Sequence, residues 1–154
     1  MPLAYDVPGR GRLEIAHLVL DANGTLTDRG APVEGVSSRL EALSSALDVR
    51  ILSADTYGTL VSVADAVGVR AERVSSGADK ERVVAELGPD RCAAIGNGAN
   101  DEAMLARAVL GIAVVGPEGA AGPAVRAADV VCTSILDALD LLLDGRTLVA
   151  TLRT

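Results

Sequence analysis

Ile15-Ala16-His17-Leu18-Val19-Leu20 runs straight into Asp21-Ala22-Asn23-Gly24-Thr25-Leu26-Thr27, and this junction decides the fold. An apolar run of strand length that ends in a carboxylate and an Asn-Gly turn reads as a buried strand with an acid at its carboxyl end. A second junction of the same kind lies downstream, where Cys92-Ala93-Ala94-Ile95 leads into Gly96-Asn97-Gly98-Ala99-Asn100-Asp101. Open α/β sheets bind ligands outside the carboxyl ends of their strands, so the two exits together make a candidate phosphate and metal site.

Strands and helices alternate outward from these junctions. Val33, Val36, Leu40, Leu43 and Leu47 recur at helical spacing after the first loop, Val49 to Leu52 reads as a strand, and Leu60, Val63, Ala64 and Val67 read as a helix. A weaker strand is expected near Arg70 to Val74. Asp79 is expected to cap a helix that stops at Gly88-Pro89. Beyond the second junction the pattern predicts helix Asn100 to Ala108, strand Gly111 to Val115, a helix near Ala120 to Ala127, strand Val130-Val131, and a last helix from Ser134 to Asp144. Such alternation predicts a doubly wound parallel sheet of the α/β class, as one domain over residues 1–154. Residues 1–15, punctuated by Pro8-Gly9-Arg10-Gly11, are expected to form a hairpin at the sheet edge.

Composition narrows the function. Hydrophobic residues make up 49% of the 154-residue chain but aromatics only 1%, so the core is built from Ala, Val, Leu and Ile. Base stacking lacks its aromatic platforms, and a net charge of -7 supplies no basic stripe for phosphates, so no nucleic-acid partner is expected. No membrane span and no signal-peptide pattern is visible, and a cytoplasmic location is the expectation. Cys92 and Cys132 lie in apolar runs and read as buried free thiols.

Asp21 at a strand exit, followed by a turn and a Thr hydroxyl, has the makings of a nucleophile that forms an aspartyl phosphate. An Asn-Gly turn with an incidental Asp accounts for the same residues. In the second loop Asp101, Asn97 and Asn100 offer oxygen ligands to a hard cation while Gly96 and Gly98 allow a tight turn. A helix start favouring Asn and Asp is the alternative there. Lys80 is the only lysine in the chain, a compact point charge for which Arg is no neutral substitute at a crowded phosphate site. Ser53 taken alone is ordinary turn chemistry, Asp55 reads as the N-cap of the next helix, and His17 as a packed strand residue.

In combination these motifs are far more specific. Asp-x-x-Gly-Thr-Leu-Thr, then Ser53 after Val49-Arg50-Ile51-Leu52, then Lys80 at a helix start, then Gly-x-Gly-x-Asn-Asp occur in the order of the haloacid dehalogenase superfamily. The chain resembles its soluble, P-type-ATPase-like branch from His17 onward. The resemblance implies a Rossmann-like three-layer sandwich, Asp21 as nucleophile, Gly24, Thr25, Ser53 and Lys80 around the phosphate, and Mg²⁺ held among Asp21, Asn23, Asn97 and Asp101. It also implies a phosphorylated small molecule or phosphoprotein as substrate.

Two positions depart from the superfamily pattern. Asn23 stands where its phosphatases carry the Asp that protonates the leaving group and activates water, a contribution of about 10² to 10⁴-fold. Asn97 stands where an acid is common, removing one negative charge from the cation site. Asp28 is a nearby acid that can substitute only if its loop folds back. Neither usual insertion point has room for a cap domain, so an open site is expected, closed by a bulky substrate or by a second copy in a homo-oligomer. Three functions compete: a slow Mg²⁺-dependent phosphohydrolase, a binding or regulatory module with little turnover, and, last, a response-regulator receiver, whose acceptor Asp would have to end the strand near Arg70 to Val74.

Overall fold

A computed structural model describes residues 2–54 and 60–154. In chain order the elements are β1 (Leu3–Val7), β2 (Gly11–Ile15), β3 (His17–Asp21), β4 (Thr27–Asp28), β5 (Ala31–Pro32), α1 (Val36–Ser44), β6 (Asp48–Ser53), α2 (Leu60–Val67), β7 (Arg70–Arg73), α3 (Gly77–Leu87), β8 (Cys92–Gly96), α4 (Glu102–Arg107), β9 (Leu110–Val114), α5 (Gly122–Ala127), β10 (Val130–Cys132), α6 (Ile135–Leu143) and α7 (Gly145–Leu152). Single 3₁₀ turns at Pro89–Arg91 and Ala99–Asp101 lead into β8 and α4.

Six strands form one parallel sheet in the order β10-β9-β8-β3-β6-β7. The strand order reverses about β3, which places the first acid at the switch point where such sheets bind ligands. Register brings the motif residues level: Asp21 pairs with Leu52, one residue before Ser53, and Leu20 pairs with Ile95, two residues before Asn97.

The period-two alternation of the strands builds two cores. Leu18, Leu20, Ile51, Ile95 and Ile112 face one layer with Leu40 and Leu43 of α1, Val63 of α2 and Leu139 of α6. Val19, Leu52, Ala94 and Ala113 face the other, with Val84 of α3, Met104 and Leu105 of α4 and Ala124 of α5. Sheet alanines on that second face leave little bulk between strand and helix. Cys92 and Cys132 fall in different cores, both as free thiols.

Several expectations are corrected. β1 and β2 pair as a separate two-stranded sheet rather than as an edge of the main one, held instead by the Tyr5 hydroxyl donating to the Leu142 carbonyl at 2.7 Å and by Thr154 N donating to Pro8 O. Ser76, not Asp79, caps α3, its hydroxyl accepting from Asp79 N at 3.2 Å. Asp79 sits one turn in, where its carboxylate accepts from Ser75 N. Helix α6 (Ile135–Leu143) fills the expected span behind its Ser134 cap, but a further helix that was not expected, α7, follows it, begun by Asp144 accepting from Arg146 N. Val33 precedes α1 rather than lying in it. The expected Asp55 cap lies outside the described residues.

The segment between β3 and α1 holds only the minimal hairpin β4–β5, and α3 with one 3₁₀ turn fills the stretch from β7 to β8. Both places where a cap would enter are thus short. Among the described residues no helix is long and apolar enough to cross a membrane.

Candidate active site

Asp21, Ser53 and Asn97 emerge side by side from β3, β6 and β8, and Lys80 reaches them from the first turns of α3. The Lys80 side chain is 0% exposed. Its Nζ lies 2.8 Å from Asp21 Oδ1 and 2.7 Å from Asp101 Oδ1, so one ammonium joins the two acids of the two loops. Burying the chain's only lysine costs desolvation unless it is paired, and here two carboxylates offset that cost. Burial acts to lower the Lys80 pKa, but attraction to Asp21 and Asp101 outweighs it and raises it. The ammonium stays charged.

Asp21 has the opposite balance. Burial first, then repulsion from Asp101, push its carboxyl up from 3.8 to about 7, against the pull of Lys80 and of the Thr25 hydroxyl. When Asp21 is ionised, two acids and one base leave the trio with one net negative charge, an arrangement that favours a cation in the same space.

The Thr25 hydroxyl is 3.2 Å from Asp21 Oδ2 and 3.1 Å from Asn97 Oδ1. It carries one proton for two acceptors, so a carboxylate oxygen and an amide oxygen converge on one point with lone pairs to spare. Asp101 is differently placed. Its Oδ1 holds Lys80, and its Oδ2 accepts from Asn97 N at 3.0 Å and Gly98 N at 2.9 Å. The residue expected as a cation ligand also fixes its own loop and the lysine.

Among the described residues no group of three or more His, Cys, Asp or Glu could hold a metal. Asp21 and Asn97 nonetheless fit Mg²⁺, which binds through one or two protein carboxylates and keeps places for water and phosphate oxygens.

Two glycines make this convergence sterically feasible. Gly24 has φ +78°, and a Cβ there would stand 2.5 Å from Asn97 Nδ2; a Cβ on Gly96 would stand 2.5 Å from the Asp101 carboxylate. Each loop tucks its acid or amide into the space a side chain would fill.

A cavity of about 170 Å³ opens over the group, lined by Asp21, Asn23, Ser53, Ala54, Asn97, Gly98, Asn100 and Glu118. Ser53 is 1% exposed at the end of β6. The receiver reading loses its footing here, since Arg73 ends β7 and the acids cluster on β3 and β8. Asp28 does not line this cavity. Its loop folds back as β4–β5, but its carboxylate pairs with Arg29 Nη1 at 2.8 Å. Glu118 escapes a reading of the sequence alone. It sits in the Gly116-Pro117-Glu118-Gly119 loop after β9, a further strand exit carrying an acid.

The family model for haloacid dehalogenase-like hydrolases matches residues 4–108. The chain belongs to this family of hydrolases. It is 53% identical over 60 residues to an uncharacterized protein of Methanocaldococcus jannaschii, covering 39% of this chain and 64% of that one. It is 37% identical over 103 residues to the chloroplastic copper-transporting ATPase PAA1 of Arabidopsis thaliana, covering 62% and 11%. The chain thus matches less than two thirds of the length of either curated relative.

Among solved structures, the 3-deoxy-D-manno-octulosonate 8-phosphate phosphatase of Moraxella catarrhalis, in complex with magnesium, phosphate and KDO, superposes with TM-score 0.68 at 19% identity over 90% of this chain and 94% of that one. The cobalt-bound phosphatase of Haemophilus influenzae gives 0.66 at 18% over 91% and 94%. The catalytic domain of the CPx-ATPase CopB-B gives 0.59 at 24% over 80% and 46%. At these identities the likeness is one of fold.

Proposed function

We propose that the chain is a Mg²⁺-dependent phosphohydrolase that passes through an aspartyl phosphate on Asp21. The observation that carries this reading is the buried Lys80 ammonium, 2.8 Å from Asp21 and 2.7 Å from Asp101, beneath an open cavity. A buried lysine clamped between two acids, with lone pairs converging beside it, suits a site that receives a phosphoryl group and a divalent cation.

In the first step an Asp21 oxygen attacks phosphorus, the bond to the leaving oxygen breaks, that oxygen departs as an anion that takes its proton from water, and the phosphoryl group remains on Asp21. Lys80 steadies Asp21 and then the phosphoryl charge, while Thr25 and Ser53 donate to phosphoryl oxygens. Asp21 and Asn97 would hold the cation, with Asn23 beside them. Mg²⁺, when bound, neutralises charge on the phosphoryl oxygens. In the second step water attacks the phosphorus and Asp21 leaves as carboxylate. Asp101 stays in place, fixing Lys80 and the loop.

The cavity admits a phosphoryl group with its leaving group outside, and the short segment at β4–β5 leaves the mouth open. A phosphorylated small molecule or a phosphate carried on a protein fits that shape. The resemblance to phosphatases of a sugar-acid phosphate supports the small-molecule class. A second reading, a module that binds but turns over little, is favoured by Asn23, whose amide lines the cavity without being able to exchange a proton at neutral pH.

Incubation with p-nitrophenyl phosphate, with and without Mg²⁺, followed by acid quench and mass spectrometry, tests the proposal. Phosphate on Asp21 is expected, and none on the Asp21→Asn variant. Wild-type protein that forms no adduct and releases no phenolate would end it.

A further inference from the structure

We infer that Glu118 is the general base that activates water in hydrolysis of the aspartyl phosphate, an inference that rests on the phosphoenzyme chemistry proposed for Asp21. Among the described residues lining the cavity, two carry carboxylates, Asp21 and Glu118. Asp21 bears the phosphoryl group in the second half of the cycle and cannot also take the proton of the attacking water. Asn23, on the same wall, has no group that exchanges protons at neutral pH. Asp28, the nearest acid in sequence, is outside the cavity and paired to Arg29. Among the described residues lining the cavity, the proton acceptor left is Glu118.

The loop that carries it is held on several sides. Arg29, at the tip of the β4–β5 hairpin with φ 50°, donates its backbone N–H to Glu118 Oε2 at 3.3 Å. Asn97 Nδ2 donates to the Gly119 carbonyl at 3.1 Å, and Ala121 N donates to the Asn97 carbonyl at 2.8 Å. Gly116 lies against the backbone of Gly24, where a Cβ would stand 3.5 Å from the Gly24 carbonyl oxygen. The loop that carries Glu118 is therefore braced to both catalytic loops, and its carboxylate to the β4–β5 hairpin. A side chain on an exposed turn gains nothing for the core from such bracing, but a proton acceptor gains a fixed position.

The step balances as follows. The water oxygen forms a new bond to phosphorus as the bond from phosphorus to the Asp21 oxygen breaks. One water proton passes to the Glu118 carboxylate, Asp21 recovers its carboxylate, and inorganic phosphate departs. Glu118 then returns the proton to solvent.

Rapid-quench kinetics of the full chain with p-nitrophenyl phosphate and Mg²⁺ test the role, because p-nitrophenolate leaves without needing a proton. Glu118→Gln is the variant, since its amide oxygen can still accept from Arg29 N and keep the loop in place. The expected result is an unchanged burst of phenolate, a steady-state rate lowered on the order of 10²-fold, and phosphoenzyme that accumulates on Asp21. Adding Asn23→Asp to that variant is expected to restore dephosphorylation, by returning a proton-transferring group to the cavity.

A steady-state rate within about twofold of wild type overturns the inference, since general base catalysis contributes far more. A burst that falls in step with the steady state also overturns it and makes Glu118 a positioning residue. So does a large shift in the Mg²⁺ concentration for half-activity with hydrolysis otherwise intact. If the wild type forms phosphoenzyme and Glu118→Gln behaves normally, only Glu118 is lost. If the wild type forms none, the Asp21 reading falls and takes Glu118 with it.

Discussion

Replacing Asp21 by Asn is expected to reverse the usual relation between a carboxylate and stability. Burial and repulsion from Asp101 push the Asp21 carboxyl from 3.8 to about 7 in the folded chain. Between those values the folded state keeps a proton that the unfolded chain has released, so the stability contributed by this group falls as pH rises. One proton bound by the folded state alone changes stability by about 1.36 kcal/mol for each step of one in pH, so the loss between about pH 5 and about pH 8 comes to roughly 2–3 kcal/mol. Lys80 adds no slope in that window, because its pKa is raised above 10.5 and its contribution is lost only in strong base. Urea unfolding of the metal-free protein in chelator, repeated across this range, should show wild type and Asp21→Asn converging in acid and separating towards alkali, with Asn the more stable. Comparing the two chains cancels the titrating groups that do not interact with Asp21. Parallel pH dependences, or an Asn variant that is less stable at the alkaline end, would refute the reasoning.

Lys80→Met should cost about 3–5 kcal/mol, because it strands Asp21 and Asp101 facing each other in a buried site, and denaturant unfolding reads it directly. Gly24→Ala, at φ +78° with Asn97 Nδ2 only 2.5 Å from the new methyl, should lower stability by about 1–3 kcal/mol and move Asn97, seen as a drop in Tm and weaker Mg²⁺ binding. Asn23→Asp should raise turnover of alkyl phosphates by about 10-fold or more, and of p-nitrophenyl phosphate by less, since only the alkoxide needs a proton on leaving. Burial lifts the thiols of Cys92 and Cys132 to about 12 and about 11, so a thiol reagent at neutral pH should label them only on unfolding.

The parts of this structure legible in the sequence are those that local pattern dictates. Asp21 and Asp101 announce themselves because each follows an apolar strand, and the parallel sheet then has to bring strand ends together at one edge. Lys80 is conspicuous as the only lysine. Contacts made over long distances left no such trace. The N-terminal hairpin looks like any sheet edge until Tyr5 meets the carbonyl of Leu142. Gly145 looks like a helix stop, yet Asp144 before it caps α7, so the same dipeptide ends one helix and begins the next. Asp101 resembles a cation ligand by type and spacing. Only the paths of Lys80 and of the Asn97 and Gly98 backbone reveal that its oxygens also hold the lysine and the loop.

Glu118 is the clearest case of a residue that sequence position conceals. Nothing in Gly116-Pro117-Glu118-Gly119 distinguishes it from a solvated turn. It reaches the cavity because β9 lies next to β8 and the loop beyond it is tied to Asn97, and its carboxylate is pinned because β4–β5 folds back to offer Arg29 N. That hairpin occupies a position where a cap would otherwise begin. The short hairpin leaves the mouth of the cavity open, so the proposed hydrolysis calls for a group that activates water. A phosphoenzyme in an open site with Asn at position 23 would be long-lived unless a neighbouring loop supplied a base. The same short hairpin that leaves the site open also holds, through Arg29 N, the acid proposed to supply that base.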